Sequence, residues 1–307
     1  MLCFKGDTML LDLMLKFGYK KKDINKIINS YPLNKCSEET LANNIDNKFI
    51  QLMDLGFSKE EVIKMTVVFP QLYNLSVLSV KQKMDEMVIL GYVIDDVKKM
   101  IVSFPSLIGR NSFNIKSKFN DLLLLGYSNE DIIKMTKNLP ELYSYDIESI
   151  KNKINELVML GYTKEDIISM TKNFPALYSY SIESIKLRIN EMINFGYTRE
   201  EVKKMSINFP SLFGFSIDTL SEKINFYDSI GLHSLFISDP KKLMQSIKVS
   251  YARYEFYKSK GIILDINSFD RMFMSQRRFE KINGISKCEL LELYSYSEMF
   301  KIRKYSK

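Results

Sequence analysis

Along residues 161–196, GYTKEDIISMTKNFPALYSYSIESIKLRINEMINFG, apolar side chains return at helical intervals twice, with a break between the two runs. Ile167, Met170, Thr171 and Phe174 share one face of a first helix, and Ile182, Ile185, Ile189, Met192 and Ile193 share one face of a second. Thr163 followed by Asp166 forms a capping box: the hydroxyl accepts from a backbone N–H three residues on, the carboxylate reaches back, and the first helix starts there. Pro175 lacks an N–H and clashes with the preceding turn, which ends that helix near Phe174 after about 11 residues. Leu177 and Tyr178 then wedge a short turn against the core. The second helix is predicted from about Ser181 to Phe195, and Gly196 stops it by entering the left-handed region. Neither helix carries enough apolar face to stand alone, so neighbouring pairs must stack.

The same pattern recurs. Gly56, Gly91, Gly126, Gly161, Gly196 and Gly231 are spaced 35 residues apart, and Pro70, Pro105, Pro140, Pro175 and Pro210 follow their glycines by 14. Gly18 and Pro32 extend the register toward the N-terminus, and Pro240 and Gly261 extend it toward the C-terminus after a step of 9 residues from Gly231 to Pro240. That short step removes five residues from a first helix and contains His233, the one histidine. Capping boxes also stand at Ser58/Glu61, Ser128/Asp131 and Thr198/Glu201, whereas Val93 leaves its repeat without one. A period in this range predicts an all-α solenoid of about seven helix–turn–helix repeats, in which function lies in columns of equivalent side chains. The predicted organisation is an N-terminal cap over 1–17, repeats over 18–261 and a basic C-terminal cap over 262–307. Ser286 with Glu289 opens a final helix in that cap.

Charge changes the picture at one end. From Pro240 onward the chain has 15 Lys+Arg against 7 Asp+Glu, out of 44 and 37 in all, which leaves 29 against 30 before it. A basic balance favours polyanion partners, and a solvated basic surface is the competing account. Thirteen residues after each proline the second helix carries Lys83, Lys118, Lys153, Arg188, Lys223 and Arg253, and Lys48 takes this place in the first repeat after an insertion of three. On a helical wheel this position flanks the apolar stripe and is expected to project from a common edge. Lys81, Lys116, Lys151 and Lys186 lie two residues earlier, on the other flank. A first-helix column reads Lys26, Lys64, Lys99, Lys134 and Lys204, broken by Ser169, and faces away from the core. Lys241, Lys242, Arg277 and Arg278 add C-terminal candidates. As phosphate contacts these cations would supply sequence-independent, salt-dependent affinity. As ordinary surface residues some would pair with acids one turn away, such as Lys83 with Glu86 and Lys153 with Glu156. The aromatic column after each glycine (Tyr19, Phe57, Tyr92, Tyr127, Tyr162, Tyr197) and the methionines Met65, Met100, Met135, Met170 and Met205 fit inter-repeat packing better than base stacking.

The combination G-Y-S/T-x-E-D/E-I/V-x-x-M-x-x-x-F-P-x-L-Y, closed by Leu-Gly-Tyr, resembles the repeat of the mitochondrial transcription termination factor (mTERF) family over about Leu15 to Gly261. The resemblance implies two α-helices and a short 3₁₀ turn per repeat, a left-handed superhelix, and a basic concave side that binds nucleic acid. It also implies roles in transcription, its termination, or other organellar gene expression.

What is missing narrows the function classes. The sequence has no Gly-rich phosphate loop, no Ser/His/Asp set and no clustered metal ligands, so neither an enzyme, a cofactor nor a metal is expected. Cys3, Cys36 and Cys288 show no metal-ligand or thioredoxin spacing, which points to a reducing compartment. No run approaches the ~20 apolar residues of a membrane span. Asp7 and Asp12 interrupt any acid-poor transit segment, so a cytoplasmic location is expected, or a mitochondrial or plastid one for a processed form. The expected partner is double-stranded DNA, with RNA as the nearer alternative, bound by a monomer that influences transcription. A protein-binding scaffold is the rival from another class.

Overall fold

The protein is described by a computed structural model over residues 9–30, 37–109, 112–265, 268–297 and 300. Pro32, Cys3 and Cys36 lie outside these residues; Cys288 is a free, exposed thiol. Every regular element among the described residues is helical. Two compact units divide the chain, Met1–Lys151 and Asn152–Lys307.

The first unit holds α1 (Met9–Lys16), α2 (Lys21–Ser30), α3 (Glu38–Asp54), α4 (Lys59–Val68), α5 (Val77–Ile89), α6 (Ile94–Ser103), α7 (Ser112–Leu124) and α8 (Asn129–Asn138). Helix α9 (Ile147–Met159) carries the chain into the second unit. There follow α10 (Lys164–Asn173), α11 (Ile182–Asn194), α12 (Arg199–Asn208), α13 (Ile217–Ser229), α14 (Leu235–Ser238) and α15 (Ile247–Ser259). The C-terminal segment adds α16 (Asp270–Phe273), α17 (Gln276–Asn283) and α18 (Lys287–Leu293). Between the paired helices run 3₁₀ turns, each with its proline at the first position: Pro70–Asn74, Pro105–Leu107, Pro140–Ser144, Pro175–Ser179, Pro210–Gly214 and Pro240–Met244. First helices stack on first helices, α4 on α6 and α6 on α8 in one unit, α10 on α12 and α12 on α14 in the other.

Local chemistry sets the boundaries. Ser58, Ser128, Thr163, Thr198 and Ser286 all make complete capping boxes, and Val93 caps with no side chain. At the other end, Tyr92 N–H reaches back to the Met87 carbonyl while Gly91 sits at φ 101°, a Schellman-type closure that a Cβ would strain. The contracted repeat keeps its turn and shortens its first helix, so that α14 has only 4 residues.

The aromatic column lies in the core, in line with its regularity: Tyr19, Phe57, Tyr92, Tyr127, Tyr162 and Tyr197 are all buried, as are the five methionines. The tyrosine hydroxyls join one repeat to the next. Thr136 Oγ1 donates to the Ile132 carbonyl, so the Tyr92 hydroxyl, 2.6 Å away, donates to Thr136 and accepts from Tyr143, also at 2.6 Å. Tyr19 stands in the same relation to Thr66 and Tyr73, and Tyr162 donates to Ser206 at 2.8 Å. In the contracted repeat Tyr197 donates to the backbone carbonyl of His233 (3.0 Å), whose ring stacks on it and whose Nδ1 meets Asp228.

Candidate nucleic-acid interface

The spacing predicts seven cations projecting outward from the second helices; the structure buries Lys83, Lys223 and Arg253 and half-buries Lys48, Lys118, Lys153 and Arg188. Lys48 on α3 donates through Nζ to the carbonyl of Leu75. Arg188 on α11 donates through Nε to the Phe215 carbonyl at 2.9 Å and through Nη1 to the carbonyl and hydroxyl of Ser184 at 2.9 and 2.6 Å. Lys223 on α13 donates to the carbonyls of Leu243 (2.6 Å) and Gln245 and lies over the Phe215 ring. Arg253 on α15 donates to the carbonyls of Met272 and Met274, both at 2.7 Å, and to Gln276 Oε1 at 3.0 Å, with its guanidinium against Phe279.

Leu75, Phe215 and Gln245 each follow the proline of the next repeat by five residues and close its 3₁₀ turn. In Lys48, Arg188, Lys223 and Arg253 the side chain is thus a strut that satisfies carbonyls at a helical C-terminus, where a cation is electrostatically favoured. Burial follows: Lys83 and Lys223 are 5% exposed and Arg253 is 2% exposed. Burial also lowers the pKa values of Lys48, Lys83 and Arg253, and holds Lys223 down to about 8. Lys83 pairs with Glu86 at 3.5 Å and Lys153 with Glu156 at 2.6 Å, the one-turn acid pairs expected from spacing. Lys118 is half-buried.

The other flank is solvent-facing. Lys81 on α5, Lys116 on α7, Lys151 on α9 and Lys186 on α11 are all exposed, and of these Lys151 pairs with Glu148 at 2.7 Å. Lys26, Lys64, Lys99, Lys134 and Lys204 are exposed on the first helices. In the C-terminal segment Lys241, Arg277 and Arg278 are exposed, whereas Lys242 is held between Asp270 (2.9 Å) and Asp239 (3.5 Å) against the rings of Phe269 and Phe273. Arg277 and Arg278 occupy the first turn of α17, the positive end of its dipole, where acids are the stabilising choice. Phe256 is buried and Tyr254 half-buried in the last repeat. The segment folds back on α13: Tyr296 donates to Glu222 at 2.7 Å, Asn225 donates to the Phe300 carbonyl at 3.3 Å, and the Phe300 ring lies against Phe226.

Among the described residues no three His, Cys, Asp or Glu side chains gather as metal ligands, and no helix is long and apolar enough to cross a membrane. Repeated pairs of helices joined by proline-led 3₁₀ turns, with buried tyrosines and cationic struts between them, define an α-solenoid repeat protein. The sequence profile of the mTERF family matches residues 8–89, 86–194 and 183–280, and the chain belongs to that family of nucleic-acid-binding helical-repeat proteins. No curated protein sequence matches it significantly.

Proposed function

We propose that the protein binds duplex DNA and influences transcription or its termination by occupying the template. The observation that carries this reading is an exposed lysine at one second-helix position in four successive repeats, Lys81, Lys116, Lys151 and Lys186, in a chain of this family. Arg277 and Arg278 support it, because a polyanion would offset their unfavourable place at a helix start. Lys83, Lys223 and Arg253 are buried and serve the fold first, whereas half-buried Lys48 keeps donors beyond its bond to the Leu75 carbonyl.

Fluorescence anisotropy with a ~25-base-pair duplex, matched single strands and RNA, across a salt series, tests the reading. Duplex binding is expected to weaken steeply with salt. Replacing Lys81, Lys116 and Lys186 by glutamine should lower the slope of log affinity against log salt by ~0.9 for each phosphate left without its cation. Absence of binding to any polyanion at low salt overturns it in favour of a protein-binding scaffold, and preference for RNA over duplex moves the role to RNA processing or ribosome assembly.

A further inference from the structure

The position three residues after the column cation differs between repeats: it is acidic in four, Phe226 and Phe256 in α13 and α15, and a carboxamide only in α3. Three residues after the column cation α5, α7, α9 and α11 carry Glu86, Asp121, Glu156 and Glu191, of which Glu86 and Glu156 pair with Lys83 and Lys153. In α3 this position is Gln51. Asn44 and Asn47 stand three and four residues apart from one another and from Gln51, which places all three carboxamides on one helix face around Lys48. All three are exposed. Together with Asn74 and Ser76, from the turn after Pro70, they line a cleft of about 470 Å³. That is within the ~300–1,000 Å³ of small-ligand sites.

A cleft lined by four carboxamides and Lys48, with no acid among its lining residues, is a poor fit for an apolar ligand and a good one for the edge of a nucleobase. Each carboxamide offers a donor and an acceptor side by side, the complement of adenine N7 and N6–H₂. Lys48 has spare donors for the adjoining phosphate, since the Leu75 carbonyl takes one of the three an ammonium carries. We infer that this cleft reads an adenine in the bound nucleic acid, so that the first repeat sets sequence preference while the lysines of later repeats supply general affinity. The inference rests on the nucleic-acid reading above.

The test is selection from a pool of 25-base-pair duplexes with a randomised centre, followed by anisotropy on the enriched duplex and on an unrelated one. The wild-type protein should enrich an A·T pair at a fixed position. Asn47→Ala with Gln51→Ala should flatten that preference and weaken the enriched duplex on the order of tenfold, leaving the unrelated duplex unchanged. Gln51→Glu installs the acid that the next four repeats carry, so it should fold normally by circular dichroism and thermal melting and lose the preference too. If the wild type binds duplex without base preference, or if the variants enrich the same sequence with the same affinity, this inference falls and general binding stands. If the wild type binds no duplex at all, both fall together.

Discussion

Arg188 Nε lies 2.9 Å from the carbonyl oxygen of Phe215, 27 residues further on, and one repeat thereby closes the turn of the next. Lys48 and Leu75 stand in the same relation at the same separation. A hydrogen bond from a charged donor to a partly buried carbonyl is worth ~1.5–3 kcal/mol, and removing the donor strands the acceptor. Arg188→Met should therefore lower unfolding free energy by ~2 kcal/mol in urea titration, while Lys186→Met, exposed and two residues away, should change it by less than ~0.5 kcal/mol. Equal effects of the two substitutions would remove the strut from the account of the fold.

The tyrosine chains couple repeats through hydroxyls that have no water to fall back on. Tyr92→Phe removes the donor to Thr136 Oγ1 and the acceptor of the Tyr143 hydroxyl, at a cost of ~1–2 kcal/mol. Tyr143→Phe removes the donor on the other side. Because both lie in one network, the double variant should cost less than the sum of the singles, a coupling of at least ~0.5 kcal/mol in a double-mutant cycle. Strict additivity would mean that the hydroxyls do not act as a chain.

Buried ionisable groups give the protein a two-sided alkaline response. Lys223 titrates near 8 in the folded state and near 10.4 in an unfolded chain. Below pH 8 both states hold the proton and the folded state carries the cost of a buried ammonium. Between about 8 and 10.4 the unfolded state binds more protons, so stability should rise with pH, by ~1–3 kcal/mol. Burial raises the tyrosines instead, Tyr162 to about 12. Their contribution is intact below pH ~10 and is lost as pH climbs from ~10 toward their folded values. Denaturation midpoints measured from pH 7 to 11 should show a rise and then a fall; Lys223→Met should shrink the rise, leaving the part that Lys48 and Lys83 supply, and keep the fall.

Glycine stops differ in how much room they leave. A Cβ on Gly91 would lie 3.2 Å from Ile133 Cδ1, whereas one on Gly161 meets nothing within 4 Å; both sit near φ 100°. Alanine at either position pays ~1 kcal/mol or more for the left-handed backbone. Gly91→Ala should cost measurably more than Gly161→Ala, and the order of their thermal midpoints checks this.

The repeat was legible because its signals are local. A proline ends a helix by its own ring, a capping box by two residues in sequence, and a glycine by the absence of its Cβ; none of these needs a neighbour to be interpreted. The tyrosine and methionine columns were legible for a related reason, since a large apolar residue at a fixed register position has to be covered. The strut column was not. A helical wheel places Lys223 correctly on the flank of its own helix but contains no information about the turn of the following repeat that lies over that flank, 20–22 residues away. The carboxamides of Asn44, Asn47 and Gln51 were visible in their spacing, yet a search for charge passes over neutral side chains, and only the cleft brings Asn74 and Ser76 to them.

Shortening one repeat separates what the architecture needs from what it tolerates. The step from Gly231 to Pro240 is five residues shorter than its counterparts, and α14 is only 4 residues long, yet Lys223 still reaches the residue five beyond the proline, Gln245. The donor therefore finds its acceptor by place in the turn and not by count along the chain. Such a joint tolerates trimming the inside of a unit without a new fastening. The length of a first helix is negotiable, and the seam to the next turn is kept.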